Sequence, residues 1–246
     1  MATCTHEIGT ADTGATPNTS GAFTPVIGDL LIVFVVASAT VDPAPTLTNT
    51  EGTTFTLILR ATYASSAHSI YAFVANQFVT SASSQTVTFN TPADTATGTV
   101  IFVNAVAGLT RAGLDAIRQS AKQDNITTTS TPAPAFSQNA NTNNPTLGVV
   151  GNQTNPATLT EPTGWTEASD LGYATPTTGG EYVFRNSGFD STTITWGSTS
   201  APGFGSIILE IDTDPLPTQW GQRTNEPYFQ KRMQVGQGQK NNANDI

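Results

Sequence analysis

The sequence predicts an all-β protein, a jelly-roll-like two-sheet sandwich built from two related halves, with an extended C-terminal arm. Short apolar and Thr-rich segments alternate with turns rich in Gly, Pro and Asn, which is typical of sandwiches and jelly rolls. Strand-like runs recur in the same order in two parts of the chain, which indicates an internal repeat. The strand pattern ends at Asp212, and a Pro-punctuated segment follows.

The two halves open and close in a similar way. The first opens on residues 28–37 and closes on 100–103, and the second opens on 144–151 and closes on 207–211. Halves that cannot each close a core favour one shared sandwich. The predicted segments are an N-terminal arm or edge strand over 1–22, a body over 23–212 with halves over about 23–122 and 140–212, and a docking arm over 213–246.

Individual strands follow from the period of the apolar residues. Residues 26–39 are apolar on both faces and predict a buried strand, whereas 53–61 alternate partly and predict a half-buried one. Residues 108–122 form the only helix candidate, although Gly113 weakens it and a single turn or loop fits equally well. The remaining predicted strands are 70–74, 85–89, 97–106, 146–150, 157–159, 165–166, 181–185, 192–196 and 204–211.

Charge is sparse and mostly negative. The chain has 9 basic and 18 acidic residues and a net charge of −9. Residues 1–212 contain 5 of the basic and 15 of the acidic residues, so the body has a net charge of −10. Such a body repels phosphates, which argues against binding of nucleic acid. Cys4 is the single cysteine, which excludes an intrachain disulfide.

The sequence predicts neither export nor a membrane span. The N-terminal residues are polar, and the longest apolar run, 30–39, is too short to cross a bilayer. We therefore expect a chain that is made in a cytoplasm and makes no membrane contact.

Motifs of catalysis are absent from the sequence. It contains no G-x-S-x-G elbow, no phosphate loop and no dinucleotide-binding fingerprint. Cys4 and His6 are a conceivable metal pair, but incidental polar residues are the favoured interpretation. We expect a protein that is not an enzyme and that uses no metal or cofactor.

Four carboxylates cluster in the second half. A glycosidase needs two carboxylates at a fixed separation, but loop acids that keep the surface soluble are the favoured interpretation. These acids are Glu161, Glu167, Asp170 and Glu181.

Two interpretations are open for Trp165 and Trp196. Core or edge packing is favoured for both, although a Trp face also stacks on sugars. If the protein binds a glycan, Trp165 and Tyr173 are the candidate residues.

Two motifs carry a resemblance to a known family. The strand Gly28-Asp29-Leu30-Leu31-Ile32 and the turn Pro162-Thr163-Gly164-Trp165-Thr166-Glu167 resemble a pattern of β-sandwich proteins of tailed bacteriophages. There a "GDLLI" strand and a "P-x-GW-T-E" turn recur, often once per half. The resemblance covers residues 20–212, and in the first half Phe55 stands where the pattern has Trp.

This resemblance implies a virion structural component, such as a capsid decoration protein or a tail or fibre module. We expect a capsid decoration or cement subunit, forming a homo-oligomer, whose partners are the major capsid protein or tail proteins. The alternative is a tail or fibre-associated module that binds a host-surface glycan. Aromatic and Arg side chains often dominate interfaces. The predicted partner-binding residues of the arm are Trp220, Arg223, Tyr228, Phe229, Lys231 and Arg232.

Overall fold

The protein is an all-β sandwich, as predicted. A computed structural model describes residues 1–12, 18–39, 45–91, 98–126, 131–152, 160–173, 178–197 and 203–214. Met1–Thr213 form one compact unit, and Asp214–Ile246 form a second unit of which only Asp214 is described. The strands are β1 (Thr3–Asp12), β2 (Asn18–Thr19), β3 (Leu30–Ala37), β4 (Thr46–Asn49), β5 (Phe55–Tyr63), β6 (His68–Ala75), β7 (Val87–Asn90), β8 (Thr99–Ala107), β9 (Ile117–Ile126), β10 (Thr146–Asn152), β11 (Thr166–Tyr173), β12 (Thr178–Arg185) and β13 (Phe204–Ile211).

Two five-stranded antiparallel sheets have the same strand order. The first sheet is β1-β8-β3-β6-β5, and the second, read from its other edge, is β9-β13-β10-β12-β11. The five long strands of each half can be numbered by their order in the chain. Across each sheet they then lie in the order first, last, second, fourth, third. A β-bulge even recurs at matching places, between Leu57 and Leu59 in β5 and between Glu167 and Ser169 in β11. The internal repeat is therefore a repeat of topology.

The two sheets pack face to face, and their edge strands contact each other in a reciprocal way. Strand β1 contacts β11, and β5 contacts β9, so each edge strand meets the edge strand that is not its counterpart. Such reciprocal contacts are those of a two-fold symmetric dimer. The shared core includes Phe34 and Phe102 from the first sheet and Tyr182 from the second, with ring centroids 5.7 and 5.9 Å from that of Tyr182.

A further layer covers the outer face of each five-stranded sheet. In the first half, the small sheet β2-β7-β4 supplies Phe89, which packs on Tyr71 of β6. In the second half the layer is irregular and consists of residues 131–140 and 189–197, joined by a bridge between Ala135 and Thr193. We call these two segments the outer cover. Because β3 lies between layers, all eight of its residues are buried, which explains its apolar residues on both faces.

The strand order moves several predicted boundaries. Residues 3–12 form the edge strand of the first sheet, so the first half begins before residue 23. Within 108–122 only Gly113–Ala116 are helical, as one 3-10 turn, and β9 starts the second half at Ile117. The helix interpretation of this segment is therefore wrong. Alternating exposure along β9, which lines a sheet edge, gives it the mixed composition that obscured it.

Candidate functional site

Potentially reactive side chains near the N-terminus are used in packing. The Cys4 thiol is buried and lies 3.3 Å from the Tyr182 hydroxyl, and His6 Nδ1 lies 2.9 Å from Asn104 Oδ1. Burial raises the pKa of Cys4 to about 12, which leaves it a protonated thiol. Burial also lowers the pKa of His6, with the Asn104 hydrogen bond opposing this. Over the described ranges, no group of three or more His, Cys, Asp or Glu side chains is placed to hold a metal ion.

Of the two predicted glycan-binding residues, only Trp165 has a side chain that the structure describes. Trp165 is 8 % exposed and packs edge-on against Phe189, with ring centroids 5.4 Å apart. Its N–H closes the turn by donating to Pro162 O, and Gly164 adopts φ +80° there. Tyr173 ends β11, and its side chain lies outside the described residues. The six predicted residues of the arm also lie outside the described residues.

Glu181 is the most unusual buried residue of the second half. It lies on β12, facing the outer cover, and its side chain is fully buried. The Trp196 indole N–H donates to Glu181 Oε1 at 3.1 Å. Glu181 Oε2 is buried, and no described residue forms a hydrogen bond with it. The strand predicted over 181–185 lies within β12, but the sequence analysis grouped Glu181 with acids that keep the surface soluble, and the structure corrects this because its side chain is buried.

Other carboxylates crowd Glu181. Asp170 is its direct cross-strand partner on β11, and Asp170 Oδ1 is also buried without a hydrogen bond from the described residues. Burial and the charges of Glu167, Asp170 and Glu161 together raise the pKa of Glu181 to about 8, against the opposing hydrogen bond from Trp196. Burial and the charge of Glu167 raise the pKa of Asp170 to about 6. Like charges directly opposite on a sheet repel, so Glu181 is a neutral acid at pH 7.

The first half has different chemistry at the equivalent positions. Tyr71 is the residue of the first sheet that is equivalent to Glu181. Its cross-strand partners are Val35 and Arg60, and those of Glu181 are Val150 and Asp170. Tyr71 packs on Phe89 of the covering layer, whereas Glu181 bonds to Trp196 of the outer cover. In the first half this position therefore holds an aromatic residue packed on another aromatic ring, and in the second half it holds a carboxylic acid.

Glu210 shows how the same sheet holds an ionised glutamate. Its side chain is fully buried on β13 and accepts hydrogen bonds from Arg118, Gln119, Asn141 N–H and Asn144 at 2.5–2.8 Å. Burial opposes ionisation, but these donors outweigh it and lower the pKa of Glu210. Glu181 has one such donor, which accounts for the contrast.

A second candidate site is an apolar surface at one end of the body. The exposed large apolar side chains of the described residues are Met1, Val26, Ile27 and Leu114, and we call these four the apolar end surface. Val26 and Ile27 lie in the turn before β3, where Asp29 N–H donates to Val26 O. Strand pairing places this turn beside the start of β1 and the ends of β6 and β8.

Further contacts place Met1 and Leu114 at the same end. The backbone of Met1 lies against Gly108, which follows β8. Asn76, which follows β6, lies against Gly113, the residue before Leu114. Val79 joins these groups to the turn, because Gly28 N–H donates to Val79 O and Val79 N–H to Asp29 O. The four side chains thus surround one end of the first sheet.

Acidic groups border the apolar end surface. Asp29 lies two residues after Ile27, Asp115 follows Leu114, and neither takes part in the ion pairs that the described residues form. Arg111, the basic residue at this end, is paired with Asp212. The N–H of Asp212 donates to Ala116 O, so β13 also ends here. The sequence analysis placed Val26 and Ile27 in a buried strand over 26–39, and the structure corrects this, because β3 begins at Leu30 and both side chains are exposed. Only strand pairing shows that the four exposed residues lie at one end of the first sheet.

Comparison with protein-family models, with curated proteins and with solved structures finds no match to this chain. No helix among the described residues is long and apolar enough to cross a membrane.

Proposed function

We propose that the protein is a non-enzymatic structural subunit of a tailed-bacteriophage virion, and that it decorates or cements the capsid. The virion assignment rests on the resemblance of the GDLLI strand and the P-x-GW-T-E turn. The body would be a rigid sandwich, and attachment would be its activity. Its partners would be the major capsid protein or tail proteins, reached with the C-terminal arm.

The apolar end surface is the observation that carries an attachment role. Apolar side chains that gather at one place with a polar border mark interaction sites, whereas scattered ones need no explanation. Met1, Val26, Ile27 and Leu114 are 82, 64, 61 and 51 % exposed. The border formed by Asp29 and Asp115 fits a partner with basic groups around an apolar centre. Repulsion between equal acidic borders disfavours a second copy as the occupant.

Chemistry inside the body also favours attachment over catalysis. Two groups that could act as a nucleophile or an acid, the Cys4 thiol and the Glu181 carboxyl group, are buried in packing. A substrate in solvent has no access to a fully buried carboxyl group. The glycan-binding alternative needs an aromatic face other than that of Trp165, which is 8 % exposed and packs against Phe189.

An add-back experiment tests this function. Particles that lack the protein are incubated with the purified full-length chain, with a chain truncated after Asp214, and with a Val26→Ser/Ile27→Ser variant. Burying two such side chains is worth about 1.5–3 kcal/mol each, so we expect the double variant to bind more than about tenfold more weakly. We expect truncation to abolish binding.

The matched control is Ala67→Ser in the turn between β5 and β6, an exposed position at the opposite end of the first sheet. This variant should bind like the unmodified chain. Unchanged binding by both the truncated chain and the double variant would refute the proposal.

A further inference from the structure

Two cross-strand acids of the second half, Glu181 and Asp170, each have a buried carboxyl oxygen without a compensating partner among the described residues. Glu181 Oε2 and Asp170 Oδ1 are both buried on directly opposite residues, and neither receives a hydrogen bond within the described part of the chain. A buried ionised carboxylate without partners is costly by several kcal/mol. Glu210 in the same sheet has its partners, so the sheet itself does not force this arrangement.

The charged groups that the structure describes around Glu181 and Asp170 are mainly acidic. Strand β11 supplies Glu167, and the turn before it supplies Glu161. On the same strand as Glu181, Arg185 donates its Nε–H to Ser187 O, and its guanidinium lies against Gly164 and Gly188. Residues 131–140 contain no charged side chain, and Asp190 of the second cover segment is exposed. The described surroundings of Glu181 and Asp170 are therefore acidic, and a proton is the cation that fits these buried oxygens.

The outer cover depends on the same carboxyl group. Trp196 is 1 % exposed, and its ring lies over Gly148 of β10, where an added Cβ would come within 2.7 Å of Cη2. The backbone N–H groups of Ile194 and Trp196 donate to Pro134 O and Pro132 O, which ties the two cover segments together. The protonation state of Glu181 is thus coupled, through Trp196, to the packing of both cover segments on the sheet.

We propose that Asp170 and Glu181 form a proton-binding pair that holds the outer cover closed while Glu181 is uncharged and loosens it when Glu181 ionises. The pair would act in the isolated protein, independently of a virion role. At the equivalent position the first half has Tyr71, whose ring packs on Phe89.

The direction of the pH dependence follows from the pKa values. The pKa of Glu181 rises from 4.5 to about 8 in the folded protein, so the folded state holds a proton that the unfolded chain has lost. Its contribution to stability is complete below the unfolded pKa and declines as the pH rises from there to about 8. Asp170, with a pKa of about 6, acts in the same direction over a lower window.

Hydrogen exchange of the outer cover tests the proposal. Exchange rates of residues 131–140 and 189–197 are divided by the intrinsic rates at each pH. In the unmodified protein we expect protection to fall by about tenfold or more between about pH 6 and pH 9, which corresponds to 1.4 kcal/mol. In Glu181→Gln, which keeps the acceptor for Trp196 without a titrating group, protection should stay constant. Equal pH dependence in both proteins would overturn the proposal.

Two controls separate the pair from general effects of pH. Glu210→Gln removes a buried carboxylate whose pKa is lowered, so its loss should destabilise at neutral pH and matter less as the pH falls. This opposite sign distinguishes the two sites. If Glu181→Gln does not fold, the indole N–H resonance of Trp196 in the unmodified protein, assigned with Trp196→Phe, serves instead. It should shift with a midpoint near the pKa of Glu181, and a constant shift across the window would contradict the proposal.

Discussion

At the residue scale, the fate of each polar side chain depends on how many donors reach it. Glu210 has four sets of donors and is ionised, whereas Glu181 has one indole N–H and is neutral. The two residues share a sheet, a face and complete burial. Their sequence neighbourhoods do not distinguish them, because the donors to Glu210 come from β9 and from residues 141 and 144.

Cys4 should be unreactive in the folded protein. Its thiol is buried and its pKa is raised to about 12, so the reactive thiolate is scarce at pH 8. We expect alkylation by iodoacetamide to proceed at the rate of unfolding and to become fast in urea. Rapid labelling of the native chain, followed by mass spectrometry, would show that β1 is not seated as described.

Gly148→Ala should destabilise the protein by about 1–3 kcal/mol, because the added methyl group meets the Trp196 ring at 2.7 Å. Urea denaturation measures the change. The same substitution in a Trp196→Phe background should cost less, since the smaller ring leaves room. Equal costs in the two backgrounds would exclude the contact as the cause.

At the element scale, burial on both faces of the central strands depends on the covering layers. Phe34 of β3 faces Tyr182 in the shared core, whereas Phe55 begins the edge strand β5 and is partly exposed. Phe34→Ala should therefore cost about 3–5 kcal/mol. The matched change Phe55→Ala should cost less than half as much in urea denaturation. Similar losses would contradict the layer arrangement.

Strong strands were predictable from the sequence, and weak ones were not. Residues 30–37 are apolar without interruption, and 204–211 are apolar apart from Gly205, Ser206 and Glu210. Both strands are covered on both faces, and strands at these positions were predicted and are confirmed. Strand β9 has the sequence IRQSAKQDNI, whose polar residues give no apolar run, so its pairing with β13 decides its structure. The sequence shows that Glu167, Asp170 and Glu181 cluster in the second half of the chain. The burial of Glu181 was not predictable, because the residues that cover it lie elsewhere in the chain.

At the scale of the whole molecule, the repeat explains how the body closes. Each half forms one five-stranded sheet whose inner face is apolar, and the two inner faces cover each other. The halves differ where the outer layers differ, and this is where the paired acids are found. The apolar end surface belongs mainly to the first half, since Met1, Val26 and Ile27 come from it.

Neither half should fold alone as a monomer. Chains covering residues 1–108 and 109–214 would each expose an apolar inner face, which we expect to cause aggregation or self-association. Mixing the two unfolded chains and removing denaturant should yield a one-to-one complex by light scattering. A half that unfolds cooperatively as a monomer would contradict the shared core.

We propose that this protein is a structural part of a phage particle. Quantitative mass spectrometry of gradient-purified particles, combined with immunogold labelling, tests it most directly. We predict that the protein copurifies with particles in a fixed ratio to the major capsid protein and that gold labels the head surface. Absence of the protein from particles that contain all other virion proteins would contradict the account.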